Sequence, residues 1–514
     1  MIRKNVKKAI SFALAGVMVL SLAACGKQGS GGGLFGGGSN NKKQTDPMLA
    51  KVNVFRGTEV NLVDKENENI YAIGNVGGKL AAVTAYYDYA NNKQGAYIKY
   101  LSENGSVTGT YEITAPDVSM YRPDNYEELI NNSQNSGVDN GPNEPVILDD
   151  MPVVDDDYYY DDYDRPSYDE SFYYNNFMIS DDGIIGVCEY YNYYEDTENG
   201  YMNNDVVMIT KWDSTGNAVW TANMSDSLNM EYAYIGSACI TNSGEIFAMV
   251  SGDGSTKMVF LNSDGSMKSS KSVDDLVNVN DVSTVFQLKS GKYVAFYYDQ
   301  NYNNCASYFD PEKFSFEDKV EIPEQLKATG YNALIPGDTT EFIVSTSEGV
   351  YGFNLGDVEL TKIMDYVNSD FDGYAINNLY FLNSNSFVGI YESADDYTTK
   401  VAIFNYVDPS TIPDKEIVTV ASYYLDSKIK SHIATFNKTN EKYRVMLKDY
   451  SKYATEDNYY EGTTKLNNEI LAGDVPDIII MNGYAIDLTP YAKKKMLVDF
   501  DELIQKDEEL FKNQ

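Results

Sequence analysis

The chain is poor in the side chains on which most catalytic and metal sites depend. It has one histidine, His432, in 514 residues. A Ser–His–Asp triad or a multi-histidine metal site would have to be built around that single imidazole. His432 lies beside Ile433 on a predicted helix, and a surface or half-buried structural place suits it. Cysteine is scarce too. Beyond Cys25, only Cys188, Cys239 and Cys305 remain, an odd and scattered set that is no disulfide framework. They are expected to be small buried hydrophobes, one in each of three repeats. Basic charge is the third shortage: 40 Lys and Arg face 77 Asp and Glu, for a formal charge of -37. No basic patch of nucleic-acid type is present, which argues against DNA or RNA as a partner. The acidity favours solubility and discourages contact with anionic surfaces, and it does not bear on fold. What is abundant is tyrosine, with 45 residues.

The N-terminus reads as an export signal. Arg3, Lys4, Lys7 and Lys8 precede an apolar stretch over 9–22, too short and wrongly flanked for an ordinary spanning helix. The LAAC at 22–25 resembles the lipobox of bacterial lipoproteins. That resemblance implies cleavage after residue 24, a diacylglyceryl group on the Cys25 thiol, and anchorage at the extracellular face of the cell membrane. A plain secretory signal with a chance cysteine is the simpler alternative. Losing residues 1–24 removes four positive charges and leaves a formal charge of about -41. Residues 25–46, rich in Gly, Ser and Asn, read as a flexible tether.

From 47 to 413 the pattern is short apolar strands with punctuated turns. FMISDDGIIGVCEYY, CITNSGEIFAMVSG, VFQLKSGKYVAFYYD and LYFLNSNSFVGIYES each read as a hairpin. Turn centres at Gly183, Gly244, Gly291, Gly337 and Asn385 repeat at about 47 residues after the first gap. A second turn class falls between them, at Gly105, Gly216 and Gly265. Four strands and two turn classes per unit predict a mainly-β propeller of six or seven blades, with a pair of β-sandwiches as the competing fold. WDSTGNAVW (212–220) is similar to a turn of lipoprotein and quinoprotein-like propeller repeats. Residues 52–63 are positioned to close the ring by adding a strand to the last blade. About 119–175 breaks the period. Its acidic, Tyr-rich run lacks the acid–Gly–Glu order of a calcium loop and reads as a solvated insertion between blade strands.

After Pro409 and Pro413 the pattern changes again. EIVTVASYY is a strand of the buried type. Leu425, Ile429, Ile433 and Phe436 then recur at helical spacing. YRVMLKDYS is a second strand, 457–473 a second helix ending at Gly473, and VPDIIIM a third strand. A β-α-β-α-β order predicts a parallel sheet. VTVASYY, IATFNKTNEKYRV, KLNNEILAGDVPDIIIMNG and YAKKKMLVDFDELIQKD, in that order, resemble the start of the extracellular solute-binding proteins of family 1, which serve sugar-type ABC importers. The resemblance covers about 414–514. It implies two α/β lobes with ligand between them, an ABC permease as partner, and a sugar or oligosaccharide as ligand.

Ligands of parallel sheets lie beyond the strands' carboxyl ends. Those ends carry Tyr423, Tyr424, Asp449 and Asn482, which offer aromatic faces and polar groups for a sugar. Family members often have Trp or Asn where Tyr423 and Tyr424 stand, so no sugar preference carries over. The family also continues well past this segment, so the reading is of a truncated, incomplete lobe. Three functions compete: the binding component of a solute-uptake system, a propeller-based protein- or glycan-interaction module with a vestigial lobe, and a glycosidase-like enzyme with facing carboxylates. With 77 acidic residues a carboxylate pair carries no signal. The expectation is therefore no enzyme, no cofactor and no metal.

Overall fold

The computed structural model describes residues 47–135 and 168–501 apart from 66, 89–92, 197–199, 231, 330, 395, 456–457, 481–486 and 500, together with 505. The lipidation candidate Cys25, the tether and most of the acidic insertion lie outside the described residues. Contact density divides the chain into Thr45–Ala485 and a second unit of Met1–Gln44 with Ile486–Gln514. Of the second, the described residues give a short helix, Thr489–Lys493.

In the larger unit, strand β1 (Phe55–Val60) precedes five sheets built from consecutive strands. The first is β2 (Glu68–Val76), β3 (Lys79–Asp88), β4 (Lys93–Leu101) and β5 (Val107–Ile113). The second is β6 (Tyr168–Ser180), β7 (Gly183–Asp196), β8 (Gly200–Trp212) and β9 (Ala218–Asn223). The third is β10 (Tyr234–Ile240), β11 (Ile246–Gly252), β12 (Ser255–Leu261) and β13 (Met267–Ser272). The fourth is β14 (Val279–Gln287), β15 (Tyr293–Asp299), β16 (Asn304–Asp310) and β17 (Ser315–Val320). The fifth is β18 (Ala333–Pro336), β19 (Phe342–Ser345), β20 (Gly349–Phe353) and β21 (Thr361–Asp365). The sixth sheet holds β22 (Gly373–Asn383), β23 (Ser386–Ser393) and β24 (Thr399–Tyr406), with β1 as its outer strand.

Each sheet is an antiparallel blade, and the first strands of successive blades touch in a closed ring, β2 to β6 to β10 to β14 to β18 to β22 and back to β2. The fold is a six-bladed propeller, which excludes the sandwich pair and fixes the blade number. The ring is sealed as the sequence predicts: Phe55 stands opposite Tyr406 and Val60 opposite Val401 in one sheet.

Alternation along the strands sends apolar side chains to both faces of each blade. Six hydrophobic clusters result, one between every adjacent pair of blades, the pair formed by the last and first blades included. Each large apolar side chain so buried contributes roughly 1.5–3 kcal/mol. Cys188, Cys239 and Cys305 sit in blades two, three and four as free thiols. Burial pushes the Cys239 thiol up to about 12, against a backbone hydrogen bond, so it is a weak nucleophile.

The two turn classes have different tasks. The first joins the inner pair of strands in each blade. The second joins the outer pair and leans on the preceding blade. The Gly105 turn abuts Val60 and Ile403, the Gly216 turn abuts the Glu112 carbonyl, and the Gly265 turn abuts Trp220. The Gly216 carbonyl accepts from Thr114 N at 2.8 Å, and Gly356 N donates to Glu321 O at 2.8 Å. At Gly216 a Cβ would lie 2.0 Å from the Glu112 carbonyl oxygen, and φ is +84°, so glycine is required twice over. Both tryptophans serve the same seams: Trp212 Nε1 donates to Thr114 O at 2.6 Å and Trp220 Nε1 to Ser263 O at 3.1 Å.

After the propeller come β25 (Glu416–Ser422), helix Ser427–Thr439, β26 (Tyr443–Asp449), helix Glu461–Leu471 and β27 (Ile478–Ile480). β25 lies in the centre and pairs in parallel with both neighbours, from Glu416 opposite Tyr443 to Ser422 opposite Asp449, and from Val420 opposite Ile478 to Ser422 opposite Ile480. These three strands and two helices are what the described residues show of the α/β lobe expected here. A solute-binding lobe is not established by them.

Candidate functional site

The antiparallel order puts every loop between second and third strands at one end of the propeller, together with the connectors between blades. Tyr234 opens β10 opposite Ser251 at the far end of β11. Tyr232 precedes it, and its N–H approaches Asp253 in the β11–β12 turn. Tyr298 and Tyr302 flank the β15–β16 turn. Tyr331 precedes β18, where Asn332 N donates to Ser345 O at 2.8 Å. All five are exposed, Tyr302 at 74%. Blades three to five thus carry a tyrosine-bearing rim at this end.

The α/β segment packs on the same end, against blades five and six. Its cations meet propeller anions. Lys430 Nζ reaches Glu348 Oε1 at 2.5 Å and Ser347 O at 2.9 Å in the β19–β20 turn. Lys438 pairs with Asp372 at 3.1 Å. Lys428 Nζ stands 5.3 Å from the centre of the Tyr397 ring. Arg444 pairs with buried Asp370 at 2.8 Å, and Arg56 of β1 reaches the same carboxylate at 3.1 Å. Val367 completes the contact by packing on Leu425 and Ile433.

Three of the four sequence-predicted ligand residues are described, and they are brought together at the ends of β25 and β26. Asn482 lies outside the described residues. Tyr423 is buried, with its ring against Tyr459 and Tyr460 and its hydroxyl donating to the Tyr459 carbonyl. Tyr424 is 55% exposed at a φ of +60°. Asp449 is 5% exposed, and its Oδ1 accepts from Tyr424 N at 3.2 Å and Ser451 N at 2.8 Å. Tyr459 and Tyr460, just before the second helix, are also exposed, so Tyr424, Tyr459 and Tyr460 are the aromatic groups open to a ligand here.

These strand ends are turned towards the propeller. The turn Ser451–Tyr453 packs on the connector helix Glu324–Thr329. Asp449 also meets Glu348. Burial drives the Glu348 carboxyl up to about 7. Lys430 opposes the rise and Asp449 adds to it. Neither Glu348 nor Lys430 carries a local motif, and only the packing of two distant segments makes them a site.

Two other polar clusters are closed by internal partners. Glu170 accepts from Arg122 in a two-point contact and from the hydroxyls of Tyr126, Tyr168 and Tyr190. This ties the start of the insertion to blade two. Buried Lys99 is held by Glu68 at 2.7 Å and Asp64 at 2.9 Å in blade one. On the α/β segment an apolar groove of about 390 Å³ runs along helix Ser427–Thr439, lined by Val418, Ile429, Phe436 and Ile478, with exposed His432 at its side. Among the described residues no three His, Cys, Asp or Glu side chains gather as a metal site, and no helix is long and apolar enough to cross a membrane.

No family model matches the chain, and no curated protein does. Solved structures do. Trypanosoma rangeli sialidase in complex with sialic acid is 7% identical over 70% of this chain and 58% of its own, at a TM-score of 0.35. A subtype N11 neuraminidase-like protein of A/flat-faced bat/Peru/033/2010 is 11% identical over 70% of this chain and 95% of its own, at 0.33. The β-propeller domain of the Trilobed protease from Pyrococcus furiosus is 10% identical over 68% of this chain and 100% of its own, at 0.30. The expectation that the chain is not an enzyme is corrected by this comparison. Its similar structures include a sialidase, so a propeller of this kind is no ground for excluding catalysis. Likenesses this distant carry no reaction over to this chain.

Proposed function

We propose that this chain is a propeller-based interaction module at the cell surface, which contacts glycan through its tyrosine-bearing end. The observation that carries the reading is the gathering of Tyr232, Tyr234, Tyr298, Tyr302 and Tyr331, all exposed, at one end of blades three to five. Tyrosine offers a flat apolar face and a hydroxyl, the pairing that sugar rings require. Anchorage through lipidated Cys25, without a cofactor, completes the reading. The test is binding of surface polysaccharides to the intact chain and to a Tyr232→Ala, Tyr302→Ala variant. A loss of about tenfold or more is expected if each ring contributes roughly 1 kcal/mol. Absence of glycan binding by the unaltered chain would remove the reading and leave a protein partner as its replacement.

A second reading is favoured by the exposed Tyr424, Tyr459 and Tyr460 at the carboxyl ends of parallel strands, where open α/β sheets hold ligands. In that reading the segment belongs to a carbohydrate-uptake system with an ABC permease as partner. Removing residues 414–514 separates the two. Glycan binding that survives the deletion belongs to the propeller, and binding that disappears with the propeller still folded belongs to the segment.

A further inference from the structure

Building on the glycan reading above, we infer that the tyrosine-bearing end of blades three to five takes a positively charged ligand, a glycan with free amino groups. Around the rest of the ring, this end shows what its tyrosines hold. Beside the β3–β4 turn of blade one, Lys65 Nζ stands 3.7 Å from the centre of the Tyr86 ring and 4.8 Å from that of Tyr97. Those two rings are stacked with their centres 5.8 Å apart. On the connector to blade two, the Arg122 guanidinium lies 4.2 Å from the centre of the Tyr126 ring. In the β23–β24 turn of blade six, the Tyr397 ring faces Lys428 Nζ at 5.3 Å. Attraction between a cation and the negative face of an aromatic ring accounts for each pair.

Blades three to five carry the same kind of ring without such a partner. Among the described residues, no lysine or arginine lies over Tyr232, Tyr234, Tyr298, Tyr302 or Tyr331. Carboxylates stand beside these rings instead. Asp253 Oδ1 accepts from Tyr232 N at 3.4 Å. Asp281 is exposed and stands opposite Tyr298 in the β14–β15 ladder, the relation in which two side chains on one face of a sheet interact. Tyr302 N donates to Asp299 O at 2.9 Å in the β15–β16 turn, while the Asp299 carboxylate accepts from Asn301 and Asn303. A ring face with a carboxylate at hand is the combination that already holds Arg122, which reaches Glu170 at 2.8 Å.

The lysines of blades three and four are mostly placed elsewhere. Lys268, Lys289, Lys292 and Lys313 belong to the opposite end, in or next to the turns that close the inner and outer strand pairs. Lys257 donates to Leu228 O at 3.0 Å, and Lys271 and Lys319 lie on the outer strands β13 and β17. On a chain with a formal charge of -37, an acidic polysaccharide is repelled and an ammonium-bearing one is attracted. An amino sugar satisfies both features of this end. Its ring stacks on a tyrosine face, and its ammonium group is held by a second ring or a neighbouring carboxylate.

The test is calorimetric titration of the full chain at about pH 6, where side-chain carboxylates are ionised and amines protonated. The probes are oligomers of β-1,4-linked glucosamine and their fully N-acetylated counterparts of the same length. Acetylation removes the charge and keeps the sugar ring. The free-amine oligomer should bind about tenfold or more tighter. A chain this acidic attracts any polycation, so the deciding variants leave its charge unaltered. Tyr232→Ala, Tyr302→Ala should lose most of the preference, and Tyr232→Phe, Tyr302→Phe should keep it. If the alanine chain does not fold, Tyr234→Ala, Tyr298→Ala is read by the same criteria. Equal or tighter binding of the acetylated oligomer overturns the inference and leaves the glycan reading in place. A preference that survives both alanines, or that vanishes with phenylalanine, also overturns it, because overall charge or the hydroxyls would be its source. Absence of binding by every glycan overturns both.

Discussion

At Gly462, the second residue of the helix Glu461–Leu471, an added methyl group would stand 1.9 Å from the Tyr450 carbonyl oxygen and 3.0 Å from the Tyr423 ring. The helix meets the turn after β26 backbone to backbone. Gly462→Ala should therefore destabilise the α/β segment by roughly 1–3 kcal/mol, as overpacking does elsewhere. Local exchange in residues 416–471 would report it, and an unchanged segment would show that the contact is not close. The roles of Tyr423 and Asp449 are decided at the same scale. Their sequence position predicts a place at the mouth of a sheet, and they are there. Tyr423 is nevertheless turned into a tyrosine cluster and Asp449 into the propeller contact. Spacing gives the end of a strand, but the side-chain environment depends on what the end is packed against.

Among the elements, β1 closes the ring of blades. Its six residues complete blade six and carry Phe55 and Val60 into two different inter-blade clusters. Removing residues 47–63 should open the ring between the last and first blades. A fall in thermal midpoint of the propeller by several degrees or more is expected, since burial of each such side chain is worth roughly 1.5–3 kcal/mol. Calorimetry would check it, and an unaltered midpoint would mean that the ring closes without this strand. The hairpins, the repeat and the closing strand were legible because period-two patterning and turn residues are local signals. The docking of each outer turn on the preceding blade was not. The glycines at 105, 216 and 265 announce turns, but the neighbour that excludes a side chain lies about forty or more residues earlier, or in the last blade far along the chain, in each case.

For the molecule as a whole, the charge of -37 sets a background of self-repulsion. The cation-to-anion contacts that dock the α/β segment work against that background, but most are partly exposed and individually weak. Raising salt from about 0.01 to about 0.5 M shortens the screening length from about 30 Å to a few ångströms. Repulsion should be relieved more than the docking pairs are weakened, so the midpoint of thermal unfolding should rise with salt. A falling midpoint would show that the docking pairs dominate.

Composition, strand periodicity and turn chemistry were enough to determine an acidic chain of repeated β units followed by a β-α-β-α-β segment. Each of those signals is carried by residues close together along the chain. The number of blades, the tyrosine-bearing end and the meeting of Glu348, Asp449 and Lys430 were decided only in three dimensions. Ring closure and docking bring together groups whose separation in sequence runs from tens to hundreds of residues. The ionisation of a half-buried carboxyl such as Glu348 follows from the water that packing removes and the charges it places nearby.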